Sequence, residues 1–75
     1  MPTIKTFGRL KITMYYGDHG VPHFHLISPD FKVSVAIESL DVLAGSARPR
    51  ELREAIEWAR QNRRLLLARW EDLHR

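Results

Sequence analysis

From residue 9 to residue 38 apolar and polar positions alternate, and from residue 49 onward apolar positions recur every third or fourth residue. The first pattern predicts strands and the second a helix. Leu10, Ile12, Met14 and Tyr16 alternate with Arg9, Lys11, Thr13 and Tyr15, which places a first strand over 9–16. Gly17 to Gly20 reads as a turn. A second strand runs from about Pro22 to Ser28, because the proline fixes its own φ and holds Val21 extended. Ser28-Pro29-Asp30 is a hairpin turn with Pro29 at its corner. The third strand spans about Phe31 to Glu38. Phe31, Val33, Val35 and Ile37 share one of its faces, and Lys32, Ser34, Ala36 and Glu38 the other. Ser39-Leu40-Asp41 turns into a very short fourth strand at Val42-Leu43, closed by Gly45-Ser46. Met1 to Thr6 is an extended lead-in.

Pro49 suits a first helical position. Leu52, Ile56, Ala59, Leu66, Trp70 and Leu73 then form an apolar stripe, widened by Ala55 and Leu67. Arg63 falls inside that stripe. Either one long helix carries Arg63 out to the sheet edge, or the helix breaks at Gln61-Asn62 and Asn62 caps a second one. The single helix, with or without a kink, is the preferred reading. The expected fold is therefore α+β: an antiparallel β-meander of three or four strands with one long C-terminal helix packed on one face, in a single domain over 1–75. Leu10, Ile12, Met14, Tyr16, Phe24, Leu26, Val33, Val35 and Ile37 would meet the helix stripe. The opposite, wet face would carry Lys11, Thr13, Tyr15, His23, His25, Lys32 and Ser34. Trp58 and Leu65 lie off the stripe. They form a second apolar patch suited to a dimer or partner contact, or else pack under the lead-in.

Composition adds limits. With 44% hydrophobic and 28% charged residues, the 75-residue chain is an ordinary globular domain with a small core. No cysteine is present, so neither a disulfide nor a thiolate metal site can staple it. No apolar run is long enough to span a bilayer, and Met-Pro-Thr-Ile has no signal-peptide character, so a cytoplasmic protein is expected. The net charge is +3 and lies in the helical part. Residues 48–75 hold eight arginines against Glu51, Glu54, Glu57, Glu71 and Asp72. Such an excess attracts nucleic acid or an acidic partner, although interleaved glutamates are also what a solvated helix face looks like.

The chemistry-bearing stretch is Asp18-His19-Gly20-Val21-Pro22-His23-Phe24-His25, which holds three of the four histidines. On a strand His23 and His25 point the same way, their Cα atoms roughly 6.5–7 Å apart. That spacing suits a shared metal ion or a shared phosphate. His19, with or without Asp18, can complete a divalent transition-metal site, zinc for example, with His23 and His25. Alternatively, His23 and His25 serve as base and acid on an RNA phosphodiester while Lys11 or Lys32 stabilises the phosphorane. Imidazole, with an ordinary pKa of ~6.5, suits either role. The bland alternative is exposed strand histidines with His19 a turn residue.

Several short motifs occur together: Met1-Pro2-Thr3-Ile4, Met14-Tyr15, Asp18-His19-x-x-Pro22-His23-Phe24-His25, Ile37-Glu38, Val42-Leu43-x-Gly45, Glu57-Trp58 and Trp70. In this the whole chain resembles a bacterial domain-of-unknown-function family (number four-one-six-zero), whose members usually read Asp-His-x-Pro-Pro-His-x-His. Val21 replaces the first of the paired prolines, and Ser28-Pro29-Asp30 stands where many members have a Tyr-Gly turn. The resemblance implies a small cytoplasmic protein, often encoded beside a second small domain, in pairs suggested to be toxin–antitoxin-like. It implies no particular activity. The expectation is an interaction module of a two-gene system, with a small partner protein or a second copy as its target. Tyr15, Trp58 and Leu65 are the candidate contacts. A histidine-dependent RNA phosphodiesterase or a metal-binding protein is the alternative, and no membrane is involved.

Overall fold

The computed structural model describes residues 3–17 and 19–74. Five strands, β1 (Thr3–Phe7), β2 (Leu10–Thr13), β3 (His23–Ile27), β4 (Lys32–Ala36) and β5 (Val42–Ala44), are followed by helices α1 (Pro49–Gln61) and α2 (Arg63–Leu73). The strands pair antiparallel in chain order. The α+β meander is as expected, with two corrections. The sheet has five strands rather than three or four, because the lead-in pairs with β2 as an edge strand, Phe7 opposite Leu10. The single long helix is two helices.

The sheet's inner face carries Ile12, Phe24, Leu26, Val33 and Val35, all essentially without exposure. α1 packs on it through Leu52, Ala55 and Ala59. Burying each larger side chain contributes roughly 1.5–3 kcal/mol. Tyr16 was expected in this core and is 72% exposed. β2 ends at Thr13, so the alternation no longer governs where its side chain goes.

α1 starts at Pro49, and the Glu51 carboxylate accepts a hydrogen bond from the Arg48 amide, 3.1 Å. This is the returning half of a capping box; arginine has no acceptor to supply the other half. The helix ends at Asn62, whose side-chain amide donates to the Trp58 carbonyl, 2.8 Å. Asn62 therefore closes the last turn of α1 and does not cap α2 with its side chain. The reason for the break is Arg63. Its Nε donates to the carbonyls of Ile37, 3.3 Å, and Glu38, 3.1 Å. A straight helix would carry that side chain past the turn after β4. The turn itself holds Leu40 at φ 63°, a left-handed conformation that non-glycine residues adopt at a cost of about 1–3 kcal/mol.

From Arg63, α2 runs across one end of the sheet. Leu65, Arg69 and Leu73 meet Thr3, Ile4 and Tyr16 there, and Trp70 reaches His23 at the start of β3. The β5 edge is irregular: Ser34 faces Ala44 and Val35 faces Val42, so Leu43 bulges out. Gly45, at φ 87°, passes so close to β4 that a Cβ would run into the Lys32 carbonyl oxygen. Neither helix is long and apolar enough to cross a membrane.

Arg63→Ala is expected to destabilise the fold by about 1–2 kcal/mol, because two turn carbonyls lose a charged donor. Arg63→Met, which keeps the stem, should destabilise nearly as much. Urea unfolding midpoints check this, and a wild-type midpoint for Arg63→Met would deny the carbonyl bonds a role.

Candidate functional site

Pro22 holds its own φ, and its carbonyl accepts from the Ile37 amide, 3.0 Å, which ties the start of β3 to the end of β4. From there the strand alternation puts Phe24 and Leu26 inside and His23, His25 and Ile27 outside. The two histidines share a face, as their spacing predicts. Their ring centroids are 5.2 Å apart and nearly perpendicular.

Cross-strand register builds the rest of this face. Thr13, His25, Ser34 and Ala44 lie in one row. The next row holds Lys11, Ile27 and Lys32, with Thr6 beyond on β1. Both lysines named from the sequence therefore flank the histidine strand, one row, ~7 Å, from His25. Tyr15, just past β2, meets the His25 ring at 4.6 Å, edge to face. The Ser34 hydroxyl lies 3.4 Å from His25 Nδ1.

His23 is oriented by its own backbone. Its Nδ1–H donates to the Val21 carbonyl, 2.8 Å, which makes Nε2 the acceptor nitrogen of the neutral ring. Its other neighbour was not legible in the strand. The Trp70 ring of α2 lies 5.0 Å away, and the His74 ring stacks on Trp70 at 4.0 Å and 23°. His74 Nδ1–H donates to the Trp70 carbonyl, 2.7 Å. Five rings thus run in sequence: Tyr15, His25, His23, Trp70, His74. The fourth histidine belongs to the constellation although it is 49 residues from His25 in the chain. The one signal for it was the Trp70–His74 spacing of four on a helix.

The metal reading gains one feature, since ligating imidazoles usually donate their second N–H to a carbonyl, as His23 does. His19 is an exposed loop residue. Among the described residues no three His, Asp or Glu side chains converge as ligands, and Asp18 lies outside the described residues. Trp58 is half-buried, its ring edge-on to Phe7 at 6.1 Å, so it packs on β1. Leu65, 38% exposed, lines a separate depression with Thr3, Ile4 and Tyr16. The break at Asn62 resets the helical phase, and the two residues do not make one patch.

One polar atom on the face is unsatisfied. Thr13 Oγ1, opposite His25 in register, is enclosed and has no hydrogen-bond partner among the described residues. Such an atom costs about 1–3 kcal/mol.

A scan of protein families matches residues 10–71 to the one described as "Domain of unknown function (DUF4160)". No curated protein matches the chain, and no solved structure does.

Two expectations follow. Thr13→Val, which keeps the shape and deletes the unsatisfied hydroxyl, should raise stability by about 1 kcal/mol in denaturant titration; a loss would mean the hydroxyl is bonded. A zinc or nickel site at His19, His23 and His25 would raise the melting temperature at pH 7.5 and not at pH 5, where imidazoles protonate. An equal shift in the His23→Ala, His25→Ala double variant would dismiss it.

Proposed function

We propose that this chain, which belongs to the family of domain of unknown function DUF4160, is a protein-interaction module that binds a small partner protein of a two-gene, toxin–antitoxin-like system. The observation that carries this reading is a groove of about 340 Å³ between α1 and the segment around β5. Leu40, Val42, Ala47, Leu52 and Ile56 give it an apolar floor, and its rim carries Arg53, with Arg60 paired to Glu57 at 3.4 Å. Val42 and Leu43, 47% and 50% exposed, extend the apolar surface along the sheet edge. Single exposed aliphatic side chains are ordinary, but contiguous ones beside a groove mark contacts.

The groove also indicates the partner's chemistry. An apolar segment flanked by carboxylates matches the floor and the rim together. A second copy of this chain fits less well, because its helical part carries the same arginine excess. The bulge at Leu43 argues against simple addition of a strand to β5, since it breaks the regular edge ladder. A segment lying in the groove is the mode this surface favours.

The test is co-expression with the neighbouring gene's product, followed by size-exclusion chromatography and titration. A stable complex is expected. Val42→Asp should weaken it at least tenfold, about 1.4 kcal/mol, while leaving the circular dichroism unchanged because Val42 is half exposed. Arg53→Glu should weaken it further and abolish its salt sensitivity. A complex indifferent to both substitutions would sink the groove as the binding surface.

A further inference from the structure

We propose that the polar face of the sheet, extended by the end of α2, is a binding site for single-stranded RNA. Its location is independent of the groove used for the partner, so either reading can fail alone.

Three observations combine. The first is the continuous ring series from Tyr15 through His25 and His23 to Trp70 and His74, with neighbouring centroids 4.0–5.2 Å apart. Trp70 is only 8% exposed, so it backs His23 from behind; Tyr15, His25 and His23 are half-buried and His74 is exposed. Unpaired bases stack on such rings with little regard to sequence. The second is the lysine row. Lys11 and Lys32 both stand opposite Ile27, two strand spacings or about 10 Å apart, and one row from His25. A base lying over His25 and Tyr15 brings its phosphate within reach of those long side chains. The third is where the acids are. Residues 3–47 balance bases with acids in sequence, yet Asp30, Glu38 and Asp41 all lie between strands. Among the described residues no strand position of this face is acidic. The strand part of the site thus carries lysines without acids, while Glu71 and Asp72 lie on α2 between Trp70 and His74.

Single-stranded RNA is the ligand whose chemistry meets all three. It offers splayed bases to rings and phosphates to lysines, and a sheet bearing rings reads unpaired bases rather than duplex grooves. Ring contacts supplied by α2 distinguish this site from a pair of strand histidines, and binding requires no bond to be broken.

The experiment is fluorescence anisotropy of the full chain with a labelled hexauridylate across a salt series. Lys11→Ala/Lys32→Ala should lower affinity at least tenfold. It should also flatten the slope of log K against log salt by about 1.4, two phosphates at ~0.7 each. Lys5→Ala/Arg50→Ala removes the same charge elsewhere and should change neither quantity. His25→Ala should lower affinity roughly tenfold with the slope kept, which separates stacking from charge. Equal losses in the two charge-matched variants would overturn the proposal, as would wild-type affinity in His25→Ala. Tighter binding of the hexamer's DNA counterpart would overturn the assignment to RNA.

Discussion

The arrangement turns on the bonds from Arg63 to the carbonyls of Ile37 and Glu38. Those carbonyls belong to the turn that follows β4. A guanidinium is always charged and supplies fixed donors, so it satisfies them better than an ammonium on a flexible stem. The consequence is geometric. The helical chain changes direction at Asn62, and α2 leaves the face that α1 covers and lies across the strand ends. Leu66 and Trp70 then close that end of the core. Without this redirection Trp70 would not reach His23, and His74 would not join the rings.

The two surfaces left over have different physics. On the α1 side, apolar floor and basic rim lie together, which suits a partner able to bury hydrocarbon and offer carboxylates. On the other side the sheet carries imidazoles, lysines and hydroxyls between rings. Net charge hides this contrast. The strand half of the chain is balanced, yet Lys11 and Lys32 sit on one face while Asp30, Glu38 and Asp41 lie between strands, so the field above the sheet is not that of a neutral object.

Much of the site was legible because it is local. Pro22 and the period of two place His23 and His25 on one face opposite Phe24 and Leu26, and the same rule puts Lys11, Lys32 and Ser34 there too. The very short strand at Val42, the proline start of α1 and its stripe of Leu52, Ala55 and Ala59 are local as well. So was the resemblance, carried by short motifs along the chain.

Only the tertiary structure decided the remainder, for one reason: those features depend on which distant groups need partners. Thr3–Phe7 is a strand because β2 has an open edge to pair with, not because its own alternation demands it. Tyr16 belongs to the apolar alternation but falls outside β2, so solvent receives it. Trp58 could have been a partner contact or packed under the lead-in, and the ring of Phe7 on β1 lies edge-on to it. Arg63 interrupts an otherwise acceptable stripe, and the sequence showed the interruption without its cause. That cause is a pair of carbonyls some twenty-five residues earlier in the chain. Spacing alone put Trp70 and His74 on one helical face; placing that face against His23 took the fold, because the direction of α2 is set by bonds no local pattern contains.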